Sequence, residues 1–329
     1  MKKALSLLLI SVFISAFHSS AQNDEPFKAN GKPEIQIFTN FSTSFSNDKN
    51  FSKFDVTRAH FGYIYNFSKT ITGRITFDVG KPSTGNFHYT GLLKYAYLQY
   101  HDSKLTITGG MLSTPQYELG NKRWGFRYVF KSSHDEYGFG PTADMGICAV
   151  YNFTPWLSTD IILVNGEGNK LMEADSVFKT GFGVTIFPVK NLLLRGYYDT
   201  MKKKDNNQQT FECIISYEDK KCNLSAVFNS QKERALVAGQ DIAGISFHGS
   251  LFLKGDKKLF ARYDYTYSEK NGSTQNPWNL AKDGNLFLAG FEFSPVAGIK
   301  LSPNFQGWQP ADKNLHFITR FSLNAEIRL

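Results

Sequence analysis

The sequence predicts an all-β protein, a transmembrane antiparallel β-barrel of about 16 strands. Apolar and polar residues alternate with a period of two from residue 33 to the end, and almost no helical period is found. The predicted connections between strands are alternately long and short, and charges in the middle of strands share a face with small polar residues. Barrels that cross a membrane with strands combine these features, with an even strand number and short turns at one end.

Each candidate strand is long enough to cross a bilayer at a tilt. The sixteen strands run approximately over residues 33–45, 54–67, 70–80, 91–102, 104–113, 143–153, 156–166, 177–188, 191–201, 208–218, 221–232, 242–254, 257–269, 285–295, 298–308 and 316–329. Short turns such as Ser68-Lys69 and Asp219-Lys220 consist of residues that favour tight turns. Longer loops, such as 47–53 and 81–90, alternate with them, so all the short turns fall at one end.

The residue types on the two faces of each predicted strand provide an independent test of the membrane-barrel prediction. In the thirteenth strand, Leu259, Ala261, Tyr263 and Tyr265 share one face, and Arg262, Asp264 and Thr266 share the other. The same separation places Arg58, Arg74 and Asp78 on the polar faces of the second and third strands. An Arg or Lys facing lipid at the bilayer midplane would cost about 2 to 4 kcal/mol. A soluble two-sheet β protein also alternates, but mid-strand charges and aromatic residues at strand ends favour the membrane barrel.

The final residues "RFSLNAEIRL" alternate without interruption up to Leu329. A barrel has no free edge, so we expect this last strand to pair with the first and close the barrel. In outer-membrane proteins the last strand also tends to be recognised by the assembly machinery, usually through a terminal aromatic residue. Leu329 departs from that preference.

The first 21 residues have the three parts of a secretory signal. Lys2 and Lys3 precede a short apolar stretch, and small residues end at Ala21. We therefore predict a signal peptide at 1–21, a short periplasmic segment at 22–32 and the barrel at 33–329. Removal of the two lysines lowers the net charge from +8 to +6. An exported chain without a long basic run is not expected to bind nucleic acid.

Sequence motifs for catalysis or metal binding are not found, so we expect neither an enzyme nor a cofactor. The histidines lack His-Glu-x-x-His spacing and the cysteines lack a C-x-x-C pair. "GFGPTADMG" (138–146) is followed by a strand, whereas a phosphate-binding glycine loop leads into a helix. His248, which shares a face with Ser246 and Ser250, is a weak candidate for a Ser-His pair.

The third long connection, from Ser113 to Thr142, is about twice as long as the others. Loops of this length without a role are uncommon. It interleaves cations with aromatic residues: Lys122, Arg123, Arg127 and Lys131 alternate with Trp124, Phe126, Tyr128 and Phe130. We expect this loop to fold into the barrel, with its aromatic rings against the wall and its cations in the passage.

Together, the signal, the sixteen strands, the loop after "GGMLSTP" (109–115) and "VNGEG" (164–168) resemble general outer-membrane porins. The sequence is most similar to the phosphate-selective porin O and P-like group. The resemblance implies that the third loop narrows a channel, with Arg123 and Arg127 at the constriction. It also implies basic wall positions at Arg58, Arg74, Arg262 and Arg320, and a homotrimer. The alternation places Asp78 and Asp264 on the same inner faces, where they could pair with Arg74 and Arg262.

The sequence therefore predicts a water-filled channel of the Gram-negative outer membrane, in contact with outer-membrane lipid. It would pass small anionic or neutral hydrophilic solutes, with a mild preference for anions that could extend to phosphate. Sixteen strands leave room for an aqueous channel, whereas eight would be filled by side chains. The alternatives are a barrel with a lipase-like or adhesive role and a channel for fatty acids.

Overall fold

The computed structural model describes residues 27–47, 49–80, 89–270, 272 and 275–329. The predicted signal peptide and residues 22–26 lie outside the described residues. The strands are β1 Asn30–Ser46, β2 Lys49–Asn66, β3 Ile71–Gly80, β4 Thr90–His101, β5 Leu105–Ser113, β6 Ala143–Thr154, β7 Leu157–Val164, β8 Lys179–Val189, β9 Leu192–Lys203, β10 Asn206–Glu218, β11 Cys222–Lys232, β12 Ile242–Leu253, β13 Lys257–Ser268, β14 Gly284–Val296, β15 Ile299–Pro310 and β16 Ile318–Arg328. In the described part of the chain, no helix has the length and apolar character needed to span a membrane.

The sixteen strands form one closed antiparallel barrel. Each strand pairs with its neighbours in sequence, and β16 returns to pair with β1, with Gln36 opposite Arg328 and Phe45 opposite Thr319. This pairing removes the edges that an open sheet would expose, and it confirms the predicted closure. The first strand begins and the last strand ends at the same end of the barrel, which we call the terminal end. We call the opposite end the loop end.

Two hairpins at the loop end are longer than predicted. β1 continues to Ser46 and β2 starts at Lys49, so the predicted loop 47–53 is wrong. The extension is held by a hydroxyl contact of 3.0 Å between Thr43 and Ser52. β9 and β10 likewise continue to within two residues of each other, and Lys204 between them has a left-handed backbone with φ 53°. In both hairpins, polar residues that the sequence suggested would form a loop instead continue the hydrogen-bonded pairing of the two strands.

Side chains alternate between the two faces of the barrel as the sequence indicates. On β13, Arg262, Asp264 and Thr266 are buried in the interior, whereas Leu259 is 46% exposed on the outside. On β2, Phe61 is 63% exposed, whereas its neighbour His60 is buried. The outer surface is therefore apolar and the inner one polar, which is the arrangement of a barrel with lipid outside and water inside.

The third loop lies inside the barrel. After Thr114 it forms helix α1 (Pro115–Trp124), and a short helix α2 (Ser133–Glu136) follows. Proline is favoured at the first position of a helix, where its missing N–H is not needed. Gly125 ends α1 in a left-handed conformation with φ 74°, which turns the chain across the lumen.

Candidate constriction site

The aromatic residues of the third loop anchor it to the inner wall. Trp124, Phe126, Tyr128 and Val129 are buried against Phe38 of β1, Phe260 of β13 and Leu288 of β14. The rings of Phe126 and Phe260 stack with their centroids 4.2 Å apart. Such pairs are worth roughly 0.5 to 1.5 kcal/mol beyond the area they bury. The predicted packing of these rings against the wall is therefore present.

Arg262 and Asp264 form a second anchor beneath the loop. The two side chains form an ion pair of 2.5 Å and are fully buried. Arg262 Nη1 donates a hydrogen bond to the carbonyl of Lys131, and the guanidinium lies 5.0 Å from the Trp124 ring. The Tyr137 hydroxyl donates to Asp264 at 2.8 Å. The loop therefore covers this predicted wall pair and uses its charges for attachment.

Polar wall side chains hold the backbone of the loop at several more points. The side-chain amides of Asn223, Asn324 and Gln231 donate to the carbonyls of Arg123, Tyr128 and Phe139, respectively. His134 Nδ1 lies 3.2 Å from Oε2 of Glu212, and both side chains are buried. Because these partners lie on β10, β11 and β16, the loop is fixed from both sides of the lumen.

Two cavities occupy the lumen, one on each side of the third loop. The loop-end cavity has a volume of about 610 Å³, and the terminal-end cavity has about 400 Å³. Their linings have four residues in common: Phe38, Arg58, Arg127 and Tyr128. The two cavities therefore adjoin each other at the wall residue Arg58 and the loop residue Arg127. We call these four residues the constriction.

Both arginines of the constriction are paired with carboxylates. Arg58 Nη2 lies 3.1 Å from Asp78 Oδ2, and Arg127 donates to Asp135 at 2.6 Å. Burial by itself would raise the pKa of Asp135, but Arg127 and the other nearby cations hold this pKa below its usual value. Asp135 is therefore charged at neutral pH and offsets part of the positive charge of Arg127.

The other predicted site residues are distributed around this constriction. Lys122 lines the terminal-end cavity and Lys131 the loop-end cavity, where it lies 3.8 Å from Glu136. Arg123 pairs with Glu218 at 2.6 Å and lines neither of the two cavities. Arg74 pairs with Glu34 of β1, although Asp78 is the partner suggested by the sequence. Arg320 lines the loop-end cavity.

Cations outnumber carboxylates in both cavities. The loop-end cavity is lined by seven cationic side chains and four carboxylates. The terminal-end cavity is lined by six and three, with His60 in addition. A surplus of one sign in a confined space raises the local concentration of the opposite ion. Among the described residues, the lining of each of these two cavities therefore carries a net positive charge.

Lys94 on β4 was missed by the sequence analysis. Its side chain is 2% exposed, and its ammonium donates a hydrogen bond to the Thr142 hydroxyl at the end of the third loop. It also lies 5.6 Å from the ring of Tyr117 on α1. Lys94 interrupts the apolar stretch "LLKYAYL", and such a mid-strand charge is the same signal that identified Arg58.

The weak candidate for a Ser-His pair is part of the wall. His248 packs its ring against Trp124 at 5.3 Å, and no hydrogen bond joins it to Ser246 or Ser250 in the described structure. A nucleophile needs a base within hydrogen-bond reach, so these three residues do not form a nucleophilic site as they stand.

Solved structures of outer-membrane proteins share this architecture. OprB of Pseudomonas putida superposes with a TM-score of 0.70 at 10% identity, covering 91% of this chain and 94% of that one. The chain has the porin fold. The anion-selective porin of Comamonas acidovorans gives a TM-score of 0.62 at 12% identity over 92% of this chain and 100% of that one.

A third similar structure is the trimer form of in-vitro folded OmpT, an outer membrane protein of Vibrio cholerae. It gives a TM-score of 0.61 at 12% identity over 91% of this chain and 99% of that one. No family model and no curated protein matches the sequence. At these identities, the likeness to porins establishes the fold.

Proposed function

We propose that this protein is an outer-membrane porin, a water-filled channel for passive diffusion of small hydrophilic solutes. The observation that carries the proposal is the constriction, where a cavity from each end of the barrel reaches the same four residues, among them Arg58 and Arg127. The apolar outer face suits contact with lipid, and the terminal end would face the periplasm. The loop end would then face the outside, and the signal peptide would direct export.

We further propose a mild preference for anions. Both cavities have more cations than carboxylates, which favours entry of anions. The arginines Arg58, Arg74 and Arg127 are each paired with a carboxylate, so their charge is partly neutralised. This pairing argues for general attraction of small anions and against a dedicated phosphate site.

Swelling of liposomes that contain the purified protein tests diffusion directly. Vesicles should swell in isotonic arabinose and more slowly in isotonic raffinose, because the larger sugar passes the constriction less easily. Protein-free vesicles and vesicles with heat-unfolded protein are the controls. A rate equal to these controls for both sugars would contradict the porin and favour a lipase-like or adhesive barrel.

Two partners follow from the same proposal. The regular alternation of β16 suits recognition by the outer-membrane assembly machinery during insertion. A homotrimer is proposed from the likeness to the trimer form of OmpT. Light scattering of the folded protein in detergent would test the trimer, and a mass of one chain would contradict it.

A further inference from the structure

A third cavity opens beside the third loop at the loop end of the barrel. It has a volume of about 510 Å³, within the usual range for sites that bind small molecules. Its lining includes Phe130, Glu136, Gln306 and Arg320, which also line the loop-end cavity. The side cavity therefore adjoins the loop-end cavity at these four residues and lies on the same side of the constriction.

Four aromatic residues line the side cavity. Trp278 precedes β14, Trp308 lies on β15, and Phe130 and Tyr137 belong to the third loop. The Trp278 indole N–H donates to the carbonyl of Asp241 at 2.8 Å, so this ring has a fixed position. Leu286 and Ile242 complete the apolar part. The surface suits a flat, apolar ring.

Of the described residues, three cations and one carboxylate, Glu136, line the same cavity. Among the described residues, neither Lys282 nor Arg320 has an ion-pair partner. Arg234 donates to the carbonyl of Tyr137 and lies 5.8 Å from the Trp278 ring. Burial lowers its pKa, and no carboxylate opposes this shift.

This pairing of rings with unneutralised cations is chemically unusual for a wall that only bounds water. Unpaired cations gain most from an anion that can accept hydrogen bonds, and a carboxylate accepts two from a guanidinium. A bare inorganic anion would leave the rings without a partner, and a neutral ring would leave the cations unpaired. A small molecule with both parts satisfies both surfaces.

We propose that the side cavity is a binding site for small aromatic carboxylates. The ring would lie against Trp278 and Trp308, and the carboxylate would accept hydrogen bonds from Arg320 and Lys282. Binding at this cavity does not require the barrel to conduct ions, so it stands apart from the proposed channel.

Titration of the full folded protein in detergent micelles with sodium benzoate tests the site. Ligand-observed saturation-transfer NMR would report binding after subtraction of the signal from empty micelles. Wild-type protein should bind benzoate more tightly than acetate or benzyl alcohol. The double variant Arg320→Gln/Lys282→Gln should weaken benzoate binding by about tenfold or more, because it removes both charged hydrogen-bond donors to the carboxylate.

The matched control is Lys220→Gln/Lys254→Gln, which removes two positive charges from exposed turns at the terminal end. This control should bind benzoate as the wild type does. A third variant, Trp308→Leu, should weaken benzoate but leave acetate unchanged, since it removes a ring and no charge. Heat-modifiable migration on gels checks that every variant is folded.

Equal benzoate affinity in wild type and the Arg320→Gln/Lys282→Gln variant would overturn the proposal. Wild-type binding of benzoate no tighter than acetate would overturn it as well. A protein that binds benzoate but does not conduct would leave this site intact and count against the channel. A protein that conducts but does not bind benzoate would support the channel and overturn the proposed binding site.

Discussion

At the scale of single residues, many charges of the lumen are organised in pairs, and some of these pairs join different elements. Arg58 of β2 contacts Asp78 of β3, and Arg74 of β3 contacts Glu34 of β1. Arg127 and Asp135 form a pair within the loop. Each pair fixes the position of a cation, and the remaining cations supply the net positive charge of the cavities.

Arg127→Gln should shift the channel toward cations. Removal of this charge leaves Asp135 without its nearest partner at the constriction, and both effects disfavour anions. A unit charge about 4 Å from the ion path is worth about 1 kcal/mol in water, with opposite sign for the anion and the cation, so the anion-to-cation permeability ratio should fall several-fold and by at most about thirtyfold. Reversal potentials in a KCl gradient would measure the ratio.

Arg123→Gln is the matched control, since Arg123 lies on the same loop, carries the same charge and lines neither of the two cavities. Its permeability ratio should stay near that of the wild type. If the two substitutions changed the permeability ratio equally, Arg127 would not lie closer to the ion path than Arg123 does.

Arg262→Met should destabilise the protein strongly. Asp264 would remain buried without its ion-pair partner, and removal of one member of a buried pair typically costs about 3 to 5 kcal/mol. Guanidinium unfolding of the protein from lipid vesicles would measure the change in free energy of unfolding.

The control for this prediction is Arg328→Met at the end of β16. Arg328 is 64% exposed and pairs at 3.0 Å with the buried Glu326, which keeps Lys300 at 3.2 Å when Arg328 is removed, so the loss should stay within about 1 kcal/mol. A loss of the same size in the two variants would mean that Arg262 does not anchor the loop.

At the scale of elements, the third loop and the closing strand decide the form of the lumen. The loop contributes Tyr117, Trp124, Phe126 and Phe139 to the buried interior, so one side of the lumen is filled. The strand β16 closes the barrel against β1 and places Arg320, Ser322 and Asn324 inside. The two cavities are therefore confined to the part of the wall near β1 to β4, β15 and β16.

Leu323→Arg should impair folding into lipid, whereas Ser322→Arg should be tolerated. Leu323 lies on the outer face and is 48% exposed, while Ser322 lines the loop-end cavity. A cation on the lipid face near the midplane costs about 2 to 4 kcal/mol, and one in the water-filled lumen does not. The folded fraction in vesicles, read from heat-modifiable migration, would compare the variants. Equal folding of both would contradict the assignment of faces.

At the scale of the whole molecule, the sequence was enough to predict the closed sixteen-stranded barrel. The period of two is a property of each strand, and mid-strand charges such as Arg262 mark the inner face without knowledge of any neighbour. The ends of hairpins were less predictable, because polar residues around Asn47 suit both a loop and an extended ladder.

The pairing of charges could not be predicted from the sequence. The partner of Arg74 is Glu34, forty residues away, because β1 and β3 both flank β2 and their inner side chains meet across it. Arg123 faces Glu218 because α1 runs along the wall near β10 and β11. Such contacts depend on register and on the path of the loop, which the residue pattern does not contain.

The central claim is that a water-filled passage crosses this barrel past the third loop. Single-channel recording of the purified, heat-modifiable protein in a planar lipid bilayer tests it most directly. The account predicts discrete conductance steps that are proportional to voltage and that scale with KCl concentration. A correctly folded protein that inserts into the bilayer and stays silent would contradict it.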